Sequence, residues 1–219
     1  MAVCVALIGG ESSGKSTLAT GLQRHLNEIH GLRAICVPEH LRAWCEAQGR
    51  APHAHEQAAI AREQTRLIES ATHTPGVDVV IADTTALMVA AYSALYFQDT
   101  ALLAPSLATQ RTYDRTLLMG LDLPWAPDGL FRDSPAVRDA TDTLLRRELQ
   151  GAGIAFQTVY GQGEARVQQA LRAVGSAMGR SLVQEDPALA NGLRPWSCDN
   201  CSDPDCERRL FTGLLSRSP

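Results

Sequence analysis

Three features of the sequence predict an α/β fold, with five mostly parallel strands and helices on both faces. These are short apolar runs that read as buried strands, helix-period segments between them, and Pro or Gly at the junctions. Ala2 to Ile8, with two Val, is the first strand. Lys15 to His30 places Leu18, Leu22 and Leu26 four apart, the spacing of one helix face, and Gly31 stops it. Ala34 to Val37 is the second strand, ended by Pro38. Helices are expected over His40 to Gln48 and from about His55 to Thr72, where Ala58, Ala61, Thr65 and Ile68 share a face. Pro75-Gly76 breaks the latter. Val77 to Ala82, Arg115 to Met119 and Ala155 to Val159 are the remaining strands. Thr85 to Tyr96, Pro105 to Gln110, Pro135 to about Gln150 and Glu164 to Met178 are the remaining helices, the third opening on Ser134-Pro135 with Pro at the first helical position. Pro124 and Pro127 mark a mobile loop between Gly120 and Ser134. The division expected is an α/β domain over 1–180 and an arm over 181–219 that carries a Cys cluster and a short helix.

A chain of 219 residues suits one such domain with a modest appendage. The formal charge of −4 gives no overall attraction to nucleic acid or to an anionic membrane, so neither is an expected partner. No apolar stretch approaches the ~20 residues of a membrane span, and the apolar start lacks a basic region before it, so a cytoplasmic protein is expected. Cys4, Cys36 and Cys45 fall in strands or helices and read as small core residues. Of the 20 basic residues all but Lys15 are Arg. In a chain that uses Arg everywhere else, a lysine marks a place that needs a compact point charge.

Lys15 stands in Gly9-Gly10-Glu11-Ser12-Ser13-Gly14-Lys15-Ser16-Thr17, which fits G-x-x-x-x-G-K-[ST] between a buried strand and a helix. Gly9 and Gly14 allow backbone N–H groups to wrap a polyphosphate, and the helix beginning near Lys15 turns its positive end toward it. Gly10, Glu11, Ser12, Ser13, Gly14, Lys15, Ser16 and Thr17 are thus the expected ATP-binding residues, with Lys15 on the β/γ oxygens and Ser16 on Mg²⁺.

Ligands of such sheets bind beyond the carboxyl ends of the strands, where two carboxylates stand. Asp83 follows the third strand and suits Mg²⁺ through water, or a proton from an attacking hydroxyl. Glu39 follows the second strand and suits substrate hydroxyls or the same proton. Arg42, three residues on, is expected in the same cleft. Trp125, Asp128, Gly129, Arg132 and Arg138 lie in or just after the Pro-rich loop, which reads as a lid that brings Arg onto the transferring phosphoryl group. Aromatic residues make up only 5%, so Trp44, Tyr92, Tyr96 and Trp125 are candidates for stacking on a base.

With these residues in view, the chain resembles the ribosylnicotinamide kinase domain of NadR-type proteins. The likeness covers about residues 3 to 175. It rests on Leu7 to Leu18 with the Glu-Ser-Ser form of the phosphate loop, on the Glu39 to Arg42 pair, and on Leu123-Pro124-Trp125-Ala126-Pro127-Asp128-Gly129-Leu130-Phe131-Arg132. The last piece is similar to the family's Pro-Trp-x-x-Asp-Gly-x-Arg lid, with one extra residue before the Arg. The resemblance implies transfer of the ATP γ-phosphate to the 5′-hydroxyl of nicotinamide riboside. Glu39, Arg42, Asp83, Tyr92, Trp125 and Asp128 are the candidates around the acceptor, and the resemblance implies Gly161-Gln162 near the adenine. It also implies that the adenylyltransferase domain often found before the kinase is absent, since the chain opens on the kinase strand. Thr84-Thr85 after Asp83 and the Ala-rich helix that follows depart from the pattern and leave room for another riboside.

The arm carries Cys198-x2-Cys201-x4-Cys206, three thiols at a spacing that suits Zn²⁺ but lacks a fourth ligand. Leu210, Phe211, Leu214 and Leu215 form an apolar helix face for docking on the kinase body or on a second copy, a candidate homodimer contact. The competing function class is a regulatory nucleotide switch that reads a macromolecule through this arm.

Overall fold

The computed structural model describes residues 2–127 and 134–183. Strands β1 (Val3–Ile8), β2 (Ala34–Val37), β3 (Val79–Asp83), β4 (Arg115–Met119) and β5 (Gln157–Val159) form one sheet in the order β2-β3-β1-β4-β5. Every neighbouring pair is parallel. Parallel neighbours need a crossover. These are made through α1 (Lys15–Glu28), α2 (His40–Gln48), α3 (Gln57–Thr72), α4 (Ala86–Phe97), α5 (Leu103–Gln110) and α6 (Pro135–Gly151), and α7 (Gly163–Met178) follows β5. This is the predicted fold class, and all five strands end at one edge.

Successive side chains of a strand point to opposite faces, and the core divides accordingly. Val5, Leu7, Val79, Ile81, Leu117 and Met119 pack under α1 and α7, against Leu18, Leu22, Leu26, Val167, Leu171 and Val174. On the other face Ile8 and Leu118 meet Leu87, Met88, Leu144, Leu145 and Leu149. Cys4, Val80 and Ala82 meet Ile68 and Ala71 of α3. Burial, helped by Asp114, pushes the Cys4 thiol up to about 12, and burial, helped by Asp83, pushes Cys36 up to about 11. Both are inert packing groups at neutral pH. Among the described residues no helix is long and apolar enough to cross a membrane.

Four expectations are adjusted. The buried stripe of α3 is Gln57, Ile60, Ala61, Gln64, Ile68 and Ala71, whereas Ala58 and Thr65 are half-buried. Two glutamines lie in that stripe, which hides it from a search for apolar spacing. Helix α5 begins at Leu103, with Pro105 in its first turn, where N–H groups lack intrahelical partners in any case. Strand β5, at the sheet edge, shrinks to Gln157–Val159, and the third strand is shifted to end on Asp83. Leu182, after α7, is buried in the α1–α7 cluster.

Leu22 is fully buried between α1 and the sheet, and Ile29 at the end of that helix is 65% exposed. Leu22→Ala is expected to cost about 3 kcal/mol and lower Tm by roughly 6–12 °C. Ile29→Ala should stay within about 0.5 kcal/mol. Thermal and denaturant unfolding of the two variants checks the contrast.

Candidate active site

The loop from Gly9 to Gly14 joins the central strand to α1. Gly9 takes φ 146° and Gly14 φ 80°. A Cβ on Gly9 would lie 2.9 Å from Met119 Cβ, and one on Gly14 would lie 2.9 Å from Leu123 Cδ1. On Gly10 it would meet Arg138 Cγ and the Arg138 carbonyl oxygen at 2.8 Å. Only glycine lets the loop lie this close to its surroundings. The Ser13 hydroxyl donates to the Gly10 carbonyl at 2.7 Å. Lys15 Nζ curls back over the loop and donates to the Gly9 and Gly10 carbonyls at 2.8 and 3.1 Å. Gly14 caps α1 without a side chain, so the first amides of that helix face the loop unscreened.

The two carboxylates stand on one side of this loop, at the ends of β3 and β2. Leu7 of β1 pairs with Asp83 of β3, which sets Asp83 two residues from Gly9 across the ladder. Asp83 is 6% exposed, and its Oδ1 has no hydrogen-bond partner among the described residues. Next to it Thr84 takes φ 87°, a conformation that a β-branched residue rarely adopts. Its hydroxyl is buried and equally unpartnered. Asp83 does not cap the following helix. That position belongs to Thr85, whose hydroxyl donates instead to Gln110 Oε1 at 2.7 Å. Glu39 is the N-cap of α2 but makes no side-chain capping bond, and its Oε2 stands 3.6 Å from Arg42 Nε.

Electrostatics links these groups. Burial pushes the Lys15 ammonium down, while Glu39, Asp83 and Glu11 hold it up. Burial pushes the Tyr92 phenol up, and Glu39 and Glu11 add to the shift. Lys15, Glu11, Glu39, Asp83, Arg42 and half-buried Tyr92 therefore lie within reach of one another's charge, around one candidate cleft at the carboxyl edge of the sheet. Arg50 lies over one face of the Trp44 ring, 5.0 Å from its centroid.

The Pro-rich segment reaches this cleft from the far side. The Ala126 N–H donates to Ser12 Oγ at 2.8 Å, next to half-buried Trp125. Arg138 packs its stem on Gly10 and donates through Nη1 to the Leu123 carbonyl at 2.8 Å. Asp128, Gly129 and Arg132 lie outside the described residues, as do Cys198, Cys201 and Cys206.

Arg166 was not anticipated. It is 3% exposed on the inner face of α7. Nη1 donates to the Ser13 carbonyl at 2.8 Å, and Nη2 donates to Val159 O at 3.2 Å and to Gly120 O and Asp122 Oδ1 at 3.3 Å. Asp122 Oδ2 in turn accepts the Gly161 N–H at 2.6 Å, and Gln162 stands at the N-cap position of α7 without a side-chain capping bond. The phosphate loop is thereby fastened to the ends of β4 and β5. The signal in the sequence is an Arg in register with Ala170 and one residue before Val167, on the buried stripe of α7.

Mg²⁺ accepts one or two protein oxygens and completes its shell with phosphates and water. The orphaned Asp83 Oδ1, with the exposed Ser16 hydroxyl at the start of α1, fits that demand. Among the described residues no group of three or more His, Cys, Asp or Glu stands ready to hold a metal by itself.

A family model described as an AAA domain (AAA_28) matches residues 4–166. No curated protein matches the sequence. Among solved structures, the chain is similar to NadR protein in complex with NR, at TM-score 0.69 and 22% identity, over 84% of this chain and 54% of the other. It is also similar to NadR protein in complex with NAD and AMP-PNP, at TM-score 0.66 and 21% identity, over 84% and 52%. Thymidylate kinase from Ehrlichia chaffeensis matches at TM-score 0.54 and 13% identity, over 74% and 89%. The chain thus spans about half the length of the NadR proteins, and at these identities the likeness is one of fold.

Removing the Arg166 guanidinium takes a donor from the Ser13, Gly120 and Val159 carbonyls and from Asp122 Oδ1, of which the Val159 carbonyl keeps the Gly120 N–H. Arg166→Met is expected to cost about 3 kcal/mol of stability and to weaken ATP binding roughly tenfold or more as the loop loosens. Calorimetric titration with ATP beside thermal unfolding checks both effects.

Proposed function

With a family model spanning most of its length, the chain belongs to the AAA domain family, and we propose that it is an ATP-dependent kinase of small nucleoside-like acceptors, with nicotinamide riboside as the acceptor. The observation that carries this reading is the cleft itself. A polyphosphate loop with its lysine faces two carboxylates that are released from any capping duty, at one edge of the sheet. The structural likeness to NadR protein in complex with NR and to thymidylate kinase supports it.

In this reading the loop amides and Lys15 bind the β- and γ-phosphates. Lys15 exchanges its bonds to the Gly9 and Gly10 carbonyls for phosphate oxygens, which carry full charge and hold an ammonium more strongly. Ser16 and Asp83 would hold Mg²⁺, which supplies charge neutralisation on the phosphates. Glu39 is the more accessible carboxylate and neighbours Arg42 and Tyr92, so it takes the acceptor side. It orients the 5′-hydroxyl and receives its proton as the oxygen bonds to the γ-phosphorus. The bond to the β–γ bridging oxygen breaks and ADP leaves. Trp125, Tyr92 and Asp128 frame the acceptor, Arg138 and Arg132 close on the phosphates, and Gly161-Gln162 flank the adenine. The Cys198, Cys201 and Cys206 cluster is proposed as a zinc site completed by a fourth ligand from elsewhere.

ADP release is to be measured with Mg-ATP, with and without nicotinamide riboside, beside a panel of nucleosides. Strong turnover with nicotinamide riboside, giving the mononucleotide by mass, is expected. ATP turnover that ignores every acceptor but follows a macromolecule would instead favour a nucleotide switch. Lys15→Ala should reduce turnover by roughly 100-fold or more.

The two carboxylates separate by their symptoms. Glu39→Gln is expected to lower kcat by roughly 10²–10⁴ while the KM for ATP holds. Asp83→Asn should raise the Mg²⁺ concentration needed for half-maximal rate. Steady-state kinetics over a Mg²⁺ series decides, and the reverse pattern would exchange the two roles.

A further inference from the structure

Gln64 belongs to no recognised motif, yet its side chain is 1% exposed at the middle of α3. A buried amide must satisfy two donors and an acceptor oxygen. Those of Gln64 go to backbone groups on two different crossovers. Oε1 accepts from the His40 N–H at 2.7 Å. Nε2 donates to the Pro38 carbonyl at 3.3 Å and to the Thr84 carbonyl at 3.4 Å. Pro38 and His40 flank Glu39, and Thr84 follows Asp83. One side chain therefore ties together the two turns that carry the carboxylates.

The consequence for Glu39 is specific. A helix start leaves amides without partners, and the N-cap side chain ordinarily accepts one of them. At α2 the N-cap is Glu39, which makes no such bond. Gln64 supplies an acceptor from outside for the first amide of the helix, one that an N-cap side chain does not ordinarily reach, and so holds the backbone on both sides of an uncapping Glu39. At the second turn, the bond to the Thr84 carbonyl helps hold a threonine at φ 87°, beside an Asp83 that likewise caps nothing. A small tilt of α3 would move both carboxylates relative to each other.

We infer that Gln64 is a positioning residue, a clamp that fixes the spacing of the Glu39 and Asp83 carboxylates through the backbone while touching neither reactant. The inference rests on the kinase reading for its effect on rate, but its structural half does not.

The test compares wild type, Gln64→Leu, Gln64→Glu and a control, Ile68→Ala. Ile68 is 1% exposed on the same stripe, one turn further along, and contacts neither turn through a hydrogen bond. The measurements are kcat, the KM for ATP, the pH profile of kcat/KM, the Mg²⁺ dependence of ATP affinity, and hydrogen exchange of the His40 amide. Gln64→Leu is expected to lower kcat by about 10–100-fold, since small misplacements at a reacting centre cost that much. The KM for ATP should stay within about twofold, the acid limb of the pH profile should shift, and His40 exchange should accelerate. Gln64→Glu keeps the shape and the acceptor, so it covers the case in which the leucine variant does not fold. It should retain His40 protection and lose the ties to the Pro38 and Thr84 carbonyls, which gives an intermediate kcat. Ile68→Ala should lower Tm and leave kcat and the pH profile alone. Gln64 variants that lose Tm but keep the wild-type kcat and pH profile would overturn the clamp. If wild type phosphorylates no acceptor, the kinase reading fails separately. The clamp then stands or falls on His40 exchange and on the Mg²⁺ dependence of ATP affinity, and wild-type values of both would overturn it.

Discussion

The pairing of Leu7 with Asp83 is the constraint on which the site depends. In a parallel ladder a slip of one residue turns every side chain to the opposite face. Such a slip would send the Asp83 carboxylate to the far side of the sheet and break the pattern that places Val79 and Ile81 under α1. The register is held because β3 is buried along its whole length, with its first four residues apolar and fully enclosed. The only charged residue of the strand is its last, at the edge where the sheet stops covering it. The Thr84 N–H then donates to the Leu7 carbonyl at 3.1 Å, carrying the ladder one step past the carboxylate. Apolar packing within the sheet thus decides where a charged group outside it stands.

Apolar packing cannot fasten the loops beyond that edge, because they carry exposed backbone donors and acceptors. Buried polar groups must be paired, and long polar side chains on the helices do this. Gln64 joins the β2 and β3 exits. Gln110 accepts from Thr85 and donates to Thr116 Oγ1 at 2.8 Å, joining the start of α4 to β4. Arg166 joins the phosphate loop to the exits of β4 and β5. Each spans two segments distant in sequence, so the edge behaves as one frame. Each is also costly to lose, since truncation strands several partners at once.

The phosphate loop was legible because a short stretch of chain determines it, with glycines where close approach forbids a Cβ and a lysine one residue past the turn. The strands were legible because burial on both faces writes continuous apolar runs. Asp83 and Glu39 could be singled out because the carboxyl edge of such a sheet is known once strand order is guessed. Gln64 and Arg166 stayed hidden for a common reason. Their partners are backbone carbonyls and amides, which look alike in every sequence, and the partners come from elements that meet only in three dimensions. Arg166 bonds Ser13, and Gln64 bonds Thr84, across separations that no local pattern records. The stripe of α3 was misjudged by one position for the same cause, since Gln64 occupies a core position while reading as a surface residue.

Lys15 shows how the loop and the carboxylates need each other. Its ammonium lies under a loop so tight that a Cβ would not fit at Gly9 or Gly10, and it meets two adjacent carbonyls at 2.8 and 3.1 Å. A planar guanidinium presents its donors as a fork and fits such a pair poorly, which accounts for one lysine in a chain that otherwise uses arginine. Enclosure of this kind disfavours the charge, and alone it would bring the ammonium toward neutrality. Glu39, Asp83 and Glu11 oppose that drift. The carboxylates thus do two things from one position. They stand at the edge of the sheet beside the phosphate loop, and their charges oppose the effect of burial on its lysine.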